Sequence, residues 1–356
     1  MAYTTIDDPS AYFQTTLYAG DGGASGQAIT HGGNSDLQAD WIWIKNRTDA
    51  ENHSVTDSVR GGGKGVLSNS SDAESNNNSN GYLSSFNSDG FTTANAGVYN
   101  NANAKNYVSW NWKAGTSFTN DASGTGIGSI DSAGSVSTTA GFSIVSYTGS
   151  GSSATIAHAL GSKPDIIFTK QRDDNSAAWG GYVSALGATK DIGLSTSGAA
   201  DADTSYWGDT EPTSTVFTVS SNARSNASGE AYIAYCFTNI KGYSKIGSYT
   251  GNGNADGTFV YTGFKPAFLI IKRTTAADTW HLVDNKRDPY NMVEQNISPD
   301  TSAVANPNAI DFDFLSNGFK LRNNDNNGNN SGDTYIYMCF AENPFVTSTG
   351  VPATAR

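Results

Sequence analysis

The stretches "KNYVSWNWKAG", "EAYIAYCFTNI" and "DTYIYMCFAENPF" put Tyr107, Tyr232 and Tyr335 at the head of three similar apolar runs. Each run is short, rich in aromatic and β-branched residues and bounded by turn formers. That pattern reads as a strand buried on both faces. Four further landmarks accompany it in the same order each time. The first is "TTLYAGDG", "IVSYTGSG" and "IGSYTGNG", at Tyr18, Tyr147 and Tyr249. The second is "ADWIWIKNR", "KPDIIFTKQR" and "KPAFLIIKR", ending in Lys45 and Arg47, Lys170 and Arg172, and Lys272 and Arg273. "HSVTDSVRG", "WGGYVSALG" and "WHLVDNKRD" follow, and then "FNSDGFTT", "STVFTVSS" and "LSNGFKLR". The first and last Tyr of a set lie roughly 85 to 90 residues apart. That period is longer than in common solenoids and fits a small domain.

The pattern predicts an all-β chain of three tandem β-sandwich repeats, of a jelly-roll or concanavalin-like kind. Helical periodicity is weak throughout, and Gly, Ser, Thr, Asn and Asp fill the spaces between strands, as in turn-rich β structure. The expected division is 1–115 for the first repeat, 116–140 for a linker, 141–240 for the second and 241–356 for the third with a C-terminal tail. The segment from Thr116 is dense in Ser, Thr and Gly, the composition of a flexible linker. Its Ile and Val allow one short edge strand instead. Only "NIKGY" joins the second repeat to the third.

Composition removes several function classes. The net charge of −12 and pI near 4.6 provide no basic footprint for nucleic acid. No apolar run approaches transmembrane length, so membrane insertion is not expected. The start, "MAYTTIDDPSAYF", has neither a basic region nor an apolar signal core, which points to synthesis and assembly in a cytoplasm. Cys236 and Cys339 fall at equivalent places, with Asn111 in the first repeat. In separate sandwiches they are expected as distant, buried free thiols.

Candidate sites are few. Asp57 with Arg60, and Asp284 with Arg287, share an Asp-x-x-Arg spacing, and both read as internal ion pairs, with a carboxylate or glycan contact as the alternative. The second repeat has Val183 and Leu186 in that place. The Gly-x-Gly after each leading Tyr is followed by β-like sequence rather than a helix, so it reads as a turn and not a phosphate loop. His31, His53, His158 and His281 lack metal-ligand spacing. The run from Asn323 begins like a calcium loop but has Thr334 where a bidentate acid belongs. No carboxylate pair or nucleophile constellation stands out, so neither catalysis nor a cofactor or metal is expected. Trp207, in the loop-like "SYWGDT", is the best candidate for a surface contact such as stacking on a sugar, with anchoring in the core as an equal alternative.

"YFQTTLYAGDG", "GFSIVSYTGSG", "IAYCFTNIKGYSKIGSYTGNGNADGTFVYTGFKPAFLIIKR" and "YIYMCFAENPF" together resemble a repeated domain of structural proteins of marine bacteriophages, many of them phages of cyanobacteria. The resemblance runs over nearly the whole chain, through the ending "FVTSTGVPATAR". It implies a virion component exposed on the particle, as a capsid decoration or an accessory of tail or baseplate. Its partners would be other virion proteins and further copies of itself, with a host surface glycan as a further possibility. The other function it admits is a tail-fibre-type host-recognition adhesin with lectin-like glycan binding. Neither heptads nor collagen-like repeats supply the shaft such a fibre needs, which favours the compact virion protein.

Overall fold

The computed structural model describes residues 2–307 and 309–354. Among them the chain is almost entirely strand and turn. Helix is limited to a 3-10 turn at Pro9–Ala11 and two four-residue helices, α1 (Ala122–Thr125) and α2 (Thr204–Trp207).

Three large antiparallel sheets carry the architecture. The first contains β1 (Phe13–Ala19), β2 (Trp41–Asn46), β3 (Ser54–Asp57) and β4 (Asn106–Trp112), in the order β1-β4-β2-β3, extended by Lys64–Leu67 and Ser75–Asn76. The second contains β5 (Thr116–Asn120), β6 (Ser132–Ser137), β7 (Phe142–Thr148), β8 (Ile166–Gln171), β9 (Gly180–Val183) and β10 (Ala231–Phe237), in the order β5-β6-β7-β10-β8-β9. The third contains β11 (Ser244–Thr250), β12 (Phe264–Arg273), β13 (His281–Asp284) and β14 (Thr334–Pro344), in the order β11-β14-β12-β13. Register matches across the three. Tyr18 pairs with Tyr107, Tyr147 with Tyr232 and Tyr249 with Tyr335. The rings of each pair stack, with centroids 5.1, 5.2 and 5.1 Å apart.

Smaller antiparallel sheets lie over one face of each large one. Ala28–Ile29, Gly90–Thr93 and Leu83–Asn87 form the first, Ala154–Ala157 and Val216–Val219 the second, and Phe259–Tyr261, Gly318–Leu321 and Phe312–Leu315 the third. Each covers a core of its own, for example Ile29, Leu83 and Phe91 against Ile42, Ile44 and Tyr107. Side chains alternate across a strand, so the remaining residues of the large sheets point the other way. There they meet one another. Trp41, Trp43, Trp110 and Trp112 of the first sheet, Phe168, Tyr235 and Phe237 of the second, and Phe268, Met338 and Phe340 of the third belong to one buried cluster. Trp41 stacks on Tyr235 at 4.7 Å, and Trp112 meets Phe268 edge-on at 5.5 Å. Strands that read as buried on both faces are therefore buried by two different cores. Self-contained sandwiches would have had only one core each.

The stretch 116–140, expected as a linker, is built into the second sheet. β5 and β6 form a hairpin whose inner strand pairs along β7, from Ser132–Tyr147 to Ser137–Phe142. Val136 is buried in the core of the second sheet pair, with Phe118 and Ile130 packed against it, and Asp121 caps the α1 turn at Gly124 N.

The Tyr-x-Gly-x-Gly landmark has a steric cause. A Cβ on Gly20, Gly149 or Gly251 would lie 2.4, 2.2 or 2.2 Å from a backbone oxygen of the loop leading into the last strand. The second glycines, Gly22, Gly151 and Gly253, sit at φ +67, +74 and +64°, where side chains are strained.

Candidate binding cleft and the joints that frame it

Most of the residues picked out in the sequence hold the sheets together. Asp57 and Arg60 form a buried ion pair at the end of β3, with Arg60 Nε 2.6 Å from Asp57 Oδ2. Tyr235 of the second sheet closes the group. Its hydroxyl donates to Asp57 Oδ2 at 2.7 Å and accepts from Arg60 Nη2 at 3.1 Å. Burial opposes the charge on Arg60, but Asp57, Tyr235 and Glu74 outweigh it and raise the guanidinium's pKa. Glu74 also bridges to Arg172 of the second sheet through two bonds of 2.8 and 3.0 Å. Burial works against the Glu74 carboxylate, yet Arg172 and Arg60 hold its pKa below the ordinary value.

Asp284 and Arg287 form the matching pair at the end of β13, with Nε 2.6 Å from Oδ2. Here the neighbour is Trp110 of the first sheet. Its indole N–H donates to Asp284 Oδ2 at 3.0 Å, and Arg287 lies 5.6 Å over its ring. A carboxylate so enclosed is costly unless fully bonded, and four donors reach this one: the Arg287 Nε, the Trp110 indole and two from its own turn, Lys286 N at 3.0 Å and Arg287 N at 2.9 Å.

A second set of joints was not anticipated from the sequence beyond the Lys/Arg landmark itself. Lys45, Lys170 and Lys272 are buried and each donates to backbone carbonyls, one of which belongs to a neighbouring sheet's loop. Lys45 Nζ reaches Ser302 O at 3.1 Å, Lys170 reaches Ser71 O at 2.9 Å and Lys272 reaches Ser197 O at 3.2 Å. The direction is cyclic: first to third, second to first, third to second. Burial draws all three ammonium groups down to about 8. Indole donors repeat two legs of the cycle, Trp179 to Leu67 O at 2.9 Å and Trp280 to Gly193 O at 3.1 Å.

Buried asparagines form a third set that the sequence reading missed. Asn101, Asn226 and Asn329 accept from the residue between the two landmark glycines, Asp21 N, Ser150 N and Asn252 N, at 3.1, 2.7 and 3.0 Å. Their signal was an Asn six residues before the opening Tyr of the last strand in every set.

Trp207 is not a surface residue. Asp203 and Gly208 cap the α2 turn, which swings the indole inward to 2% exposure, edge-on to Tyr182 at 6.0 Å. His31 and His158 are buried and pulled down to about 4 by desolvation, and burial together with Lys45 holds His53 well below the usual imidazole range. His31 Nδ1 is bonded to Thr16 Oγ1 at 2.8 Å. Cys236 and Cys339 are buried free thiols in β10 and β14, and burial raises both pKa values. In the Asn323 turn, Asn323 Nδ2 donates to Asp325 Oδ2 at 2.7 Å and Asn327 N to Asp325 Oδ1 at 3.0 Å, an Asn-rich turn closed on itself.

A cleft of about 510 Å³ lies between β1 of the first sheet and the ends of β12 and β14 in the third. Phe13, Thr15 and Gln14 form one wall, Lys265, Asn285 and Ala341 another, and Tyr290, 79% exposed, stands at the rim. Two buried polar atoms of its lining residues, Thr15 Oγ1 and Asn285 Oδ1, have no hydrogen-bond partner among the described residues. Lys265 is paired with Glu342 at 3.5 Å.

Residues 8–344 match a domain of unknown function, DUF7483. The chain belongs to this family. The match runs unbroken across all three large sheets, as one unit. No curated protein is similar to the chain. The DUF7483 boundaries begin just before β1 and end with β14, so they enclose the joints and the cleft alike.

Proposed function

We propose that this DUF7483 chain is a structural component of a bacteriophage particle, exposed on its surface, that acts by contact with other virion chains. The resemblance to marine phage structural proteins supports the reading. The observation that carries it is the use of interior charge. Asp57, Arg60, Asp284, Arg287 and the three lysines are spent on joints between sheets. This makes a rigid block, suited to an assembly. Capsid decoration and tail or baseplate accessory are the two placements, and the chain is made in the host cytoplasm and carried in the virion.

The three sheet pairs are best understood as three copies of one unit. The stacked tyrosines, the landmark glycines and the cyclic lysines recur at matching register. Within each copy the chain crosses repeatedly between a large and a small sheet, as in a jelly-roll-like sandwich. A host-recognition adhesin is the second reading. With Trp207 buried, it rests on Tyr290 at the rim of the cleft, an exposed ring beside amide and ammonium groups of the kind that hold sugars.

Quantitative mass spectrometry of purified particles tests the proposal. The protein should be present, and its copy number separates hundreds of capsid sites from a few tail sites. Presence in infected cells with absence from particles would overturn it.

A further inference from the structure

We infer that the β1 edge is a docking site for one extended segment of another protein chain, added antiparallel as a further strand. The outer edges of β1, β7 and β11 occupy matching positions in their sheets, and two of them are covered, β7 by β6 along its length and β11 at Ser244 and Ile246. β11 is blunted by the chain before it. Asn239 Oδ1 accepts from Ile246 N at 2.5 Å, its amide reaches Ile246 O at 3.3 Å, and Ile240 bridges to Ser244. On β1, alternate residues turn their backbone groups towards β4, as the flanking bonds Lys113 N to Tyr12 O and Gly20 N to Lys105 O fix. Phe13, Thr15 and Leu17 therefore turn theirs outward. No hydrogen bond among the described residues occupies those N–H and C=O groups at Phe13, Thr15 or Leu17.

An open edge is usually blunted, because it recruits strands. This one is instead recessed at its Phe13–Thr15 end and open at Leu17, which is 40% exposed. Phe13 and Thr15 are only 3% and 6% exposed, yet they line the cleft beside the unpartnered Thr15 Oγ1 and Asn285 Oδ1. A second folded sheet cannot reach so far in; a single strand can. β6 on β7 shows the chemistry of the occupant. It is "SAGSVS", and Ser135 lies opposite Ile144, the counterpart of Thr15. The occupant is thus a segment of small and hydroxylated residues. Its backbone pairs with Phe13, Thr15 and Leu17, and a side-chain donor meets Asn285 Oδ1. The inference deepens the contact function proposed above but rests on the edge itself.

The test is selection of displayed random decapeptides on the whole protein, followed by amide exchange of the complex. Selected peptides should slow exchange at Phe13, Thr15 and Leu17. They should bind Thr15→Pro about tenfold or more weakly, the loss of one good hydrogen bond and its neighbours. Proline is tolerated where an edge N–H faces outward, so Thr15→Pro should fold, whereas Ile144→Pro in the paired β7 should not. If Thr15→Pro misfolds, Leu17→Pro carries the same test. Peptides that bind both forms equally, or leave those amides unprotected, would overturn the proposal. So would dimerisation of the protein that Leu17→Pro abolishes, since that places a second copy at the edge. Absence of the protein from particles would refute the virion reading while leaving the peptide result standing.

Discussion

Three joints of the molecule occupy equivalent places, and one of them is filled with chemistry opposite to the other two. By register, Asp57, Val183 and Asp284 are equivalent, and so are Trp110, Tyr235 and Met338. Where the third sheet meets the first, and the first the second, an Asp–Arg pair faces an N–H or O–H. Where the second meets the third, Val183 and the half-buried Leu186 pack into the same cluster as Met338. Both sides of each joint change together. The lesson is that the slot fixes geometry, and complementarity fixes chemistry: a polar pair needs a polar neighbour, because an unmet buried charge costs more than a bonded one returns.

The largest expected effect comes from mixing the two. Val183→Asp buries a carboxylate opposite Met338 with no cation beside it and should cost about 3–5 kcal/mol, measured by urea unfolding. Asp57→Ala should cost a similar amount by stranding Arg60, whereas Val183→Ala, a simple cavity, should cost about 1–3 kcal/mol. Equal costs at the two sites would break the comparison. Adding Leu186→Arg and Met338→Tyr to Val183→Asp rebuilds the clamp and should recover part of the loss. No recovery would mean that the backbone, not the partner, decides which chemistry a joint accepts.

Next in size is the partner itself. Tyr235→Phe removes one hydroxyl and leaves Asp57 and Arg60 each short of a bond, an expected loss of about 1–3 kcal/mol. Met338→Leu conserves volume and should cost less than about 1.5 kcal/mol. Thermal unfolding of the two variants side by side gives the ratio.

Much of this was legible and some was not, for physical reasons. The paired tyrosines, the buried strands and the Asp-x-x-Arg spacing could be read because periodicity and landmark order survive in sequence. The shared core could not be located, although "DWIWIK" showed that both its faces were covered. Periodicity tells that a face is buried, not by what. The segment at 116–140 could not be decided between linker and edge strand because Ser and Gly describe a flexible tether and a strand edge equally well. Trp207 stayed open between surface and core because a single helical turn between Asp203 and Gly208 is too short to leave a period. The cleft left no trace in composition, since it arises where strands from distant parts of the chain fail to close an edge.

The smallest expected effect concerns pH. Lys45, Lys170 and Lys272 sit near 8 in the folded chain and ordinarily titrate near 10.4. Above pH 8 the unfolded chain holds more protons at these sites, so stability should rise with pH. The carbonyl bonds to each Nζ favour the charged form and reduce the gain, to about 1 kcal/mol between pH 8 and 9. Within that window the two cysteines, and above it the buried tyrosines, act in the opposite sense, because their folded pKa values are raised. Lys170→Met should shrink the rise by about a third if the three joints are alike; an unchanged rise would show that they are not.

The central claim is that three sheet pairs share one core and fold as one body. Scanning calorimetry of the whole chain addresses it most directly. A shared core predicts a single transition whose calorimetric and van't Hoff enthalpies agree. Three self-contained sandwiches would instead give separable transitions, or a van't Hoff enthalpy about one third of the calorimetric value, and that result would contradict the account.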